Sequence, residues 1–390
     1  MGIIKREAEF TLRELVKGYP VVAITGPRQS GKTTLAKHFF KNKPYVSLED
    51  PDELEFSLDD PKGFLSRFPK GAIIDEVQRN PKIFSYIQTI VDTNKIMGMF
   101  ILTGSQHFGL LSHITQSLAG RVGFIQLLPF TITELARSGK VIADGKYESL
   151  LIKGLYPPVY DRNLDAKYWY SNYVMTYIER DVRQVLNVKE LNQFQKFIRM
   201  CAARVGQVLN LSALGNDCGI SHNTARSWIS VLETSYIVFL LPPHHSNYGK
   251  RLVKSPKLYF HDTGLAAWLL NIQDEDHMAI HPAKGALFEN FIISELIKDR
   301  YNKGLLSNLY FWRDSSGIEI DVIIEKGSIL VPVEIKSSQT IVQDFFKNLT
   351  IWNKLSGSKA KSYMVYGGEE SYTRSGIHIL SWKDCHKIEN

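Results

Sequence analysis

Gly26-Pro27-Arg28-Gln29-Ser30-Gly31-Lys32-Thr33 spaces two glycines, a lysine and a threonine as Gly-x4-Gly-Lys-Thr. That combination is suited to holding phosphates. Glycines let the backbone approach an anion, and successive amides and the N-terminus of the following helix face it. Lys32 then reaches the β- and γ-phosphates, and the Thr33 hydroxyl ligates Mg²⁺. The expected nucleotide contacts are Gly26, Pro27, Arg28, Gln29, Ser30, Gly31, Lys32, Thr33 and Thr34, with ATP and Mg²⁺ as cofactors.

Further along, Ala72-Ile73-Ile74-Asp75-Glu76 is an apolar run closed by two acids. Beside a phosphate loop, Asp75 is expected to hold Mg²⁺ together with Thr33, while Glu76 polarises the attacking water. The run Met99-Phe100-Ile101-Leu102-Thr103 leads into Gly104-Ser105-Gln106, so Ser105 or Thr103 is a candidate sensor of the γ-phosphate at a strand's C-terminal end. Arg121 closes Leu118-Ala119-Gly120-Arg121. It is either an arginine finger toward a neighbouring subunit's nucleotide, which implies a homo-oligomer, or a surface arginine near a helix end.

A second set of chemically able residues lies near the C-terminus. Ile318-Glu319-Ile320-Asp321-Val322-Ile323-Ile324-Glu325 alternates, Gly327-Ser328 turns, and Ile329-Leu330-Val331-Pro332-Val333-Glu334-Ile335-Lys336 returns. A two-residue turn pairs Lys326 with Ile329, which sets Asp321 opposite Glu334 with Lys336 on the same face. Opposed carboxylates repel unless a cation sits between them. Asp321 followed by Glu334-x-Lys336 matches the PD-(D/E)xK nuclease constellation. In it Asp321, Glu334 and the helix-borne Glu289 hold Mg²⁺, and Lys336 orients or deprotonates the attacking water. The plainer alternative is an exposed hairpin face on which Glu319 and Glu334 pair with Lys336.

These residues need elements to position them. Residues 21–24 and 72–76 read as buried strands, 45–48, 99–103 and 122–127 as strands and 34–40 as a helix, an α/β pattern. From 146 to 204 the chain is helical and aromatic; Tyr168, Trp169, Tyr170, Tyr173 and Tyr177 suit helix packing better than base stacking. Residues 210–220 and 221–233 suggest two short helices meeting at a glycine-containing turn, with Ser221 as N-cap of the second. Strand material over 234–241 and the basic residues Lys250, Arg251, Lys254 and Lys257 complete a winged-helix pattern. His222, Asn223 and Arg226 would then enter a DNA major groove while the basic hairpin meets phosphates. A protein-protein module is the alternative.

Composition bounds the rest. The chain has 390 residues, 44% hydrophobic and 22% charged, which suits two or three folded domains. Cys201, Cys218 and Cys385 form neither a disulfide framework nor a zinc cluster, so a reducing, cytoplasmic setting is expected. No apolar stretch reaches membrane-spanning length, so no membrane partner is expected. The net charge of +7 permits a polyanionic partner but supports one only weakly.

Taken together, these motifs resemble the AAA+ branch of ATPases. Specifically, the chain resembles a prokaryotic AAA+ family, found in bacteria and archaea, that carries a restriction-endonuclease-like C-terminal domain. Leu102-Thr103-Gly104-Ser105, Leu118-Ala119-Gly120-Arg121, Leu127-Leu128-Pro129-Phe130 and Tyr177-Ile178-Glu179-Arg180-Asp181-Val182 carry the likeness, together with the acidic C-terminal strands. The resemblance implies an α/β multidomain chain: an AAA+ P-loop ATPase domain at 1–140, a helical lid at 141–204, a winged helix at 205–280 and a PD-(D/E)xK nuclease-like domain at 281–390. The expected activity is ATP hydrolysis coupled to DNA binding, with Mg²⁺-dependent cleavage at the C-terminal acids. Two other readings stand beside it: an ATP-gated DNA switch that does not cut, and an ATPase that remodels protein partners.

Overall fold

The protein is described by a computed structural model that covers residues 3–105, 117–139, 146–178, 191–244, 255–358 and 360–388. Gln106, the 179–182 segment, Lys250, Arg251 and Lys254 lie outside the described residues. The chain divides into two units, one of Met1–Phe130 with Thr234–Tyr236 and Arg300–Leu305, the other of the remainder.

The first unit is built on a five-stranded sheet of β1 (Val21–Thr25), β2 (Tyr45–Ser47), β3 (Ile73–Asp75), β4 (Phe100–Gly104) and β5 (Val122–Gln126), in the order β2-β3-β4-β1-β5. Every pairing is parallel. A parallel sheet is covered on both faces, so its central strands are apolar throughout, and β1 and β4 are buried at every position. Alternation divides them between two cores. Val21 and Ala23 join Ile74, Phe100 and Leu102 on one face, while Val22 and Ile24 join Ile73, Ile101 and Leu35 on the other. From β1 the next three strands lie to one side and β5 to the other. Such a reversal opens a crevice at the strands' C-terminal ends.

The phosphate loop leaves β1 at that edge. Gly26, Gln29 and Gly31 adopt φ of +146°, +61° and +92°. The helix after the loop runs Lys32–Phe39, two residues ahead of the expected start, because Gly31 already ends the turn.

In the second unit, the helices Tyr147–Lys153, Pro157–Asp161, Ala166–Tyr173 and Leu191–Ala202 precede a helix pair, Leu211–Cys218 and His222–Thr234. Trp169 stacks on Tyr173 and both pack on Tyr156, so Trp169, Tyr170 and Tyr173 of the aromatic stripe pack inside, whereas Tyr168 is exposed. Gly219 (φ +69°) ends the first helix of the pair, and Ser221 Oγ accepts from the Thr224 amide at 3.0 Å to start the second. That second helix persists to Thr234, so the expected strand begins only at β6 (Val238–Leu241), which pairs antiparallel with β7 (Lys257–Phe260).

The long helix Lys284–Asn302 is clamped along β7. Asn290 exchanges two 2.7 Å hydrogen bonds with the Phe260 backbone, and Ser294 Oγ donates to the His261 carbonyl at 2.9 Å. Six strands follow: β8 (Leu309–Arg313), β9 (Glu319–Lys326), β10 (Ile329–Lys336), β11 (Ser362–Tyr366), β12 (Tyr372–Arg374) and β13 (Ile377–Ser381). They form a mixed sheet ordered β12-β13-β11-β10-β9-β8. The hairpin pairs Lys326 with Ile329 and Val322 with Val333, the register that the turn count requires. Among the described residues, no helix is long and apolar enough to cross a membrane.

Candidate nucleotide site and a second acid cluster

Three strand ends bring the first site together. The helix after the β1 loop opens with Lys32 and Thr33, β3 ends in Asp75, and β4 carries Thr103 and leads to Ser105. Thr33 Oγ1 donates to Asp75 Oδ2 at 2.8 Å, Tyr45 Oη donates to the same oxygen at 2.9 Å, and Thr103 Oγ1 donates to Oδ1. Four donors, counting the Glu76 amide at 3.2 Å, converge on one carboxylate. Glu76 follows in a left-handed conformation, φ +53°. Ser105 Oγ at 3.1 Å and Gln78 Nε2 at 2.5 Å both donate to Glu76 Oε2.

The residues present fit a polyphosphate. Lys32 is only 6% exposed, and its ammonium is held by the Gly26 and Pro27 carbonyls at 3.1 and 2.7 Å. Burial pushes its pKa down to about 8, against the pull of Glu76 and Asp75. Such a buried cation accepts an anion readily. Ser30 Oγ is buried without a hydrogen-bond partner. A Cβ on Gly26 would lie 2.1 Å from the Leu127 carbonyl oxygen, so only glycine fits that turn. The hard oxygens of Thr33 and Asp75, already adjacent, are the donors Mg²⁺ takes. Arg28 Nη1 lies 3.9 Å from Glu49, and Thr34 is exposed on the first helical turn.

Two residues of this site escaped the sequence reading. Tyr45, besides its bond to Asp75, lies under the Lys37 ammonium, 3.4 Å from the ring centroid. Burial and the neighbouring Asp75 push its hydroxyl up to about 12. Arg6 donates to the Ser30 carbonyl at 2.8 Å and to the Leu128 carbonyl at 2.7 Å, with its guanidinium over Phe130. It thereby ties the loop to the segment after β5. No local pattern marks either one, since both act through sheet neighbours or distant chain.

Arg121 is not part of this cluster. Its carbonyl accepts from the Val21 amide at the N-terminal end of β1, and its side chain pairs with Asp92. Five strand residues at ~3.3 Å each put the phosphate loop of its own chain about 16 Å away.

The second cluster lies around the β9–β10 hairpin. Lys336 Nζ is 2.6 Å from Glu334 Oε2 and 3.6 Å from Asp321 Oδ2, and the Ile335 amide donates to Asp321 at 2.7 Å. Glu334 is 1% exposed, and its Oε1 has no hydrogen-bond partner. Glu289 accepts from the Tyr259 hydroxyl and from Lys257 Nζ, the latter at 3.1 Å. Burial and Asp321 push Glu289 up to about 7 and Glu334 well above the ordinary carboxyl range. For Lys336 burial opposes the charge, but Asp321 and Glu334 outweigh it and hold its pKa above normal.

Lys257 corrects one expectation. Placed with the basic hairpin as a phosphate contact, it is 3% exposed on β7 and faces inward, paired with Glu289 and Glu319. Glu319, expected to pair with Lys336 in the plainer alternative, instead meets Lys257 and Arg313. Among the described residues, no group of three or more His, Cys, Asp or Glu is arranged to hold a metal ion. The cations that the acids meet are Lys257, Lys336 and, at Glu319, Arg313.

A parallel sheet with a phosphate loop after β1 and an acid pair closing β3 defines a P-loop ATPase-type domain. Residues 18–136 match the family described as AAA domain, whereas 144–276 and 284–385 match two domains of unknown function, DUF8612 and DUF4143. Over 345 residues the chain is 31% identical to the uncharacterized proteins Rv2008c of Mycobacterium tuberculosis and Mb2031c of Mycobacterium bovis, covering 87% of this chain and 75% of each relative. The chain belongs to the family of these two proteins, with an AAA-type ATPase domain at its N-terminal end. Among solved structures it is similar to the Walker-type ATPase PABY2304 of Pyrococcus abyssi (17% identity, TM-score 0.48, 68% of this chain and 96% of that one). It is also similar to a single-substitution variant of RuvB from Thermotoga maritima (18% identity, TM-score 0.33, 61% of this chain and 89% of that one). Likeness at this level carries no statement about activity.

Proposed function

We propose that this chain is an AAA+ ATPase that couples ATP binding and hydrolysis to DNA engagement. The observation that carries the reading is the convergence of Lys32, Thr33, Asp75, Glu76 and Ser105 at one edge of the parallel sheet. In this reading the loop amides and Lys32 hold the phosphates, and Thr33 and Asp75 hold Mg²⁺, which neutralises charge on the phosphates when bound. Glu76 takes a proton from the attacking water, with Ser105 and Gln78 fixing its carboxylate. Arg121 serves the nucleotide of a second copy, which makes the active form a homo-oligomer.

The four-part division at 140, 204 and 280 belongs to the proposal, as does a cytoplasmic setting in which the buried thiols Cys201, Cys218 and Cys385 stay free. DNA engagement is assigned to the helix pair, read as a winged helix. Ala225, Trp228, Ile229 and Leu232 are buried, which leaves His222, Asn223 and Arg226 exposed together at the start of the second helix. A reading helix in a major groove uses that face. Phosphate contacts release counterions, so DNA affinity should fall steeply between 50 and 200 mM salt, roughly 10³-fold for six contacts. Fluorescence anisotropy with labelled duplex checks this. Arg226→Ala should weaken binding several-fold; salt-independent binding, or none, would favour a protein-remodelling ATPase.

A second reading concerns the C-terminal acids. The partnerless Glu334 oxygen beside Asp321 supports a divalent-cation site there, with Lys336 positioned for DNA cleavage. Mn²⁺-dependent nicking of plasmid, lost in Asp321→Ala, would establish it. Binding without nicking leaves an ATP-gated DNA switch.

A further inference from the structure

One short stretch of chain runs from the helix pair to the strand that carries the phosphate loop. Thr234 ends the second helix of the pair, and Thr234–Tyr236 belongs to the first unit although the residues on either side of it belong to the second. Tyr236 is buried in a left-handed conformation, φ +56°, which a residue with a Cβ adopts only where its surroundings impose it. Its hydroxyl donates to Thr25 Oγ1 at 3.0 Å. Thr25 is the buried last residue of β1, and Gly26 opens the phosphate loop directly after it. On the helix side, the Ile237 amide donates to the Leu232 carbonyl at 2.9 Å. That bond closes the stretch into a tight loop, so a shift of Tyr236 is passed to the last turn of the helix.

The other end of this path answers to the nucleotide. Lys32 Nζ is held by the Gly26 and Pro27 carbonyls at 3.1 and 2.7 Å. A phosphate that takes this ammonium loosens its hold on Gly26, the residue next to Thr25. Coupling between sites needs an element whose arrangement both of them bias, and the end of β1 is contacted by the loop on one side and by Tyr236 on the other. We propose that the Tyr236–Thr25 hydrogen bond carries the nucleotide state of the phosphate loop to the second helix of the pair, with Tyr236 as a positioning residue that acts through Thr25. This rests on the reading of the loop as a nucleotide site, and on nothing about DNA.

The test is hydrogen–deuterium exchange of the full chain with and without the non-hydrolysable analogue AMP-PNP and Mg²⁺, read by mass spectrometry over residues 26–33 and over the helix His222–Thr234. In wild type the analogue should slow exchange of the loop and change that of the helix by about two-fold or more. Tyr236→Phe removes only the hydroxyl. It should bind the analogue within about three-fold of wild type and protect the loop, yet leave the helix unchanged. Thr25→Val cuts the same bond from the other side and should match it; should Tyr236→Phe fold poorly, Thr25→Val decides by the same criteria. Thr11→Val, which removes the 2.7 Å bond to the Asn302 carbonyl elsewhere in the first unit, should respond as wild type. A helix response that survives in Tyr236→Phe, or that vanishes in Thr11→Val as well, would overturn the proposal. So would a protected loop beside an unresponsive helix in wild type. No protection of the loop in wild type would remove the nucleotide reading and this inference with it, so the loop tells the two failures apart.

Discussion

Lys32 is held in a position that makes sense only with an anion beside it. Burial lowers its pKa to about 8, so the stability this group contributes is present above the unfolded value near 10.5 and is lost as pH falls through 8. At pH 7 the ammonium therefore works against the ligand-free fold. Lys32→Met should leave the ligand-free melting temperature unchanged or higher, yet abolish the rise with ATP, which for wild type is worth about 2.7 kcal/mol at a hundred-fold excess over Kd. Differential scanning fluorimetry reads both. Glu76→Gln should keep ATP affinity while turnover falls roughly 10²–10⁴-fold, the usual share of a general base; a phosphate-release assay checks it. Lys32, Thr33 and Asp75 were legible because spacing along a short stretch defines their task. Tyr45 and Arg6 were not, because they reach the site across the sheet from residues whose own neighbours carry no signal.

Hairpin register was readable at the scale of the element. One turn length sets every pair along β9 and β10, and alternation leaves only one face for Asp321, Glu334 and Lys336. The cation that pairs with Glu289 and Glu319 was not readable, since Lys257 comes from a strand that reads by itself as part of a basic hairpin. Burial also changes what the acids do. A carboxyl with a raised folded pKa contributes stability that is fully present below its unfolded value, near 4.5, and is lost as pH rises through the folded one. Glu334 is raised in this way, and so is Glu289, to about 7. The melting temperature of Glu334→Gln, relative to wild type, should therefore be higher at pH 8 than at pH 5, as thermal melts followed by circular dichroism would show. In the helix pair, Ser221→Ala should cost about 1 kcal/mol through loss of the N-cap.

For the whole molecule, the decisive facts are the strand order and the separation of Arg121 from its own phosphate loop. With β1 and β5 parallel, Arg121 enters the sheet at the end opposite the loop, so any part it plays in hydrolysis falls on another copy. Mixing inactive Arg121→Ala with inactive Glu76→Gln should then restore measurable ATP turnover, because one mixed interface carries an intact finger and an intact base. No recovery across mixing ratios would confine Arg121 to its pairing with Asp92. The parallel α/β architecture was legible from apolar runs and the loop motif, whereas the way segments distant in sequence join a unit, such as Thr234–Tyr236 within the first, has no local pattern to announce it.

If ATP hydrolysis at the phosphate loop is coupled to DNA, as proposed, turnover must respond to duplex. The most direct measurement is steady-state ATP turnover of the wild-type chain across a range of duplex DNA concentrations, beside Glu76→Gln. Turnover should rise several-fold with DNA, saturate at a salt-sensitive concentration and be absent from Glu76→Gln. Turnover that ignores DNA at every concentration, or that persists in Glu76→Gln, would contradict it.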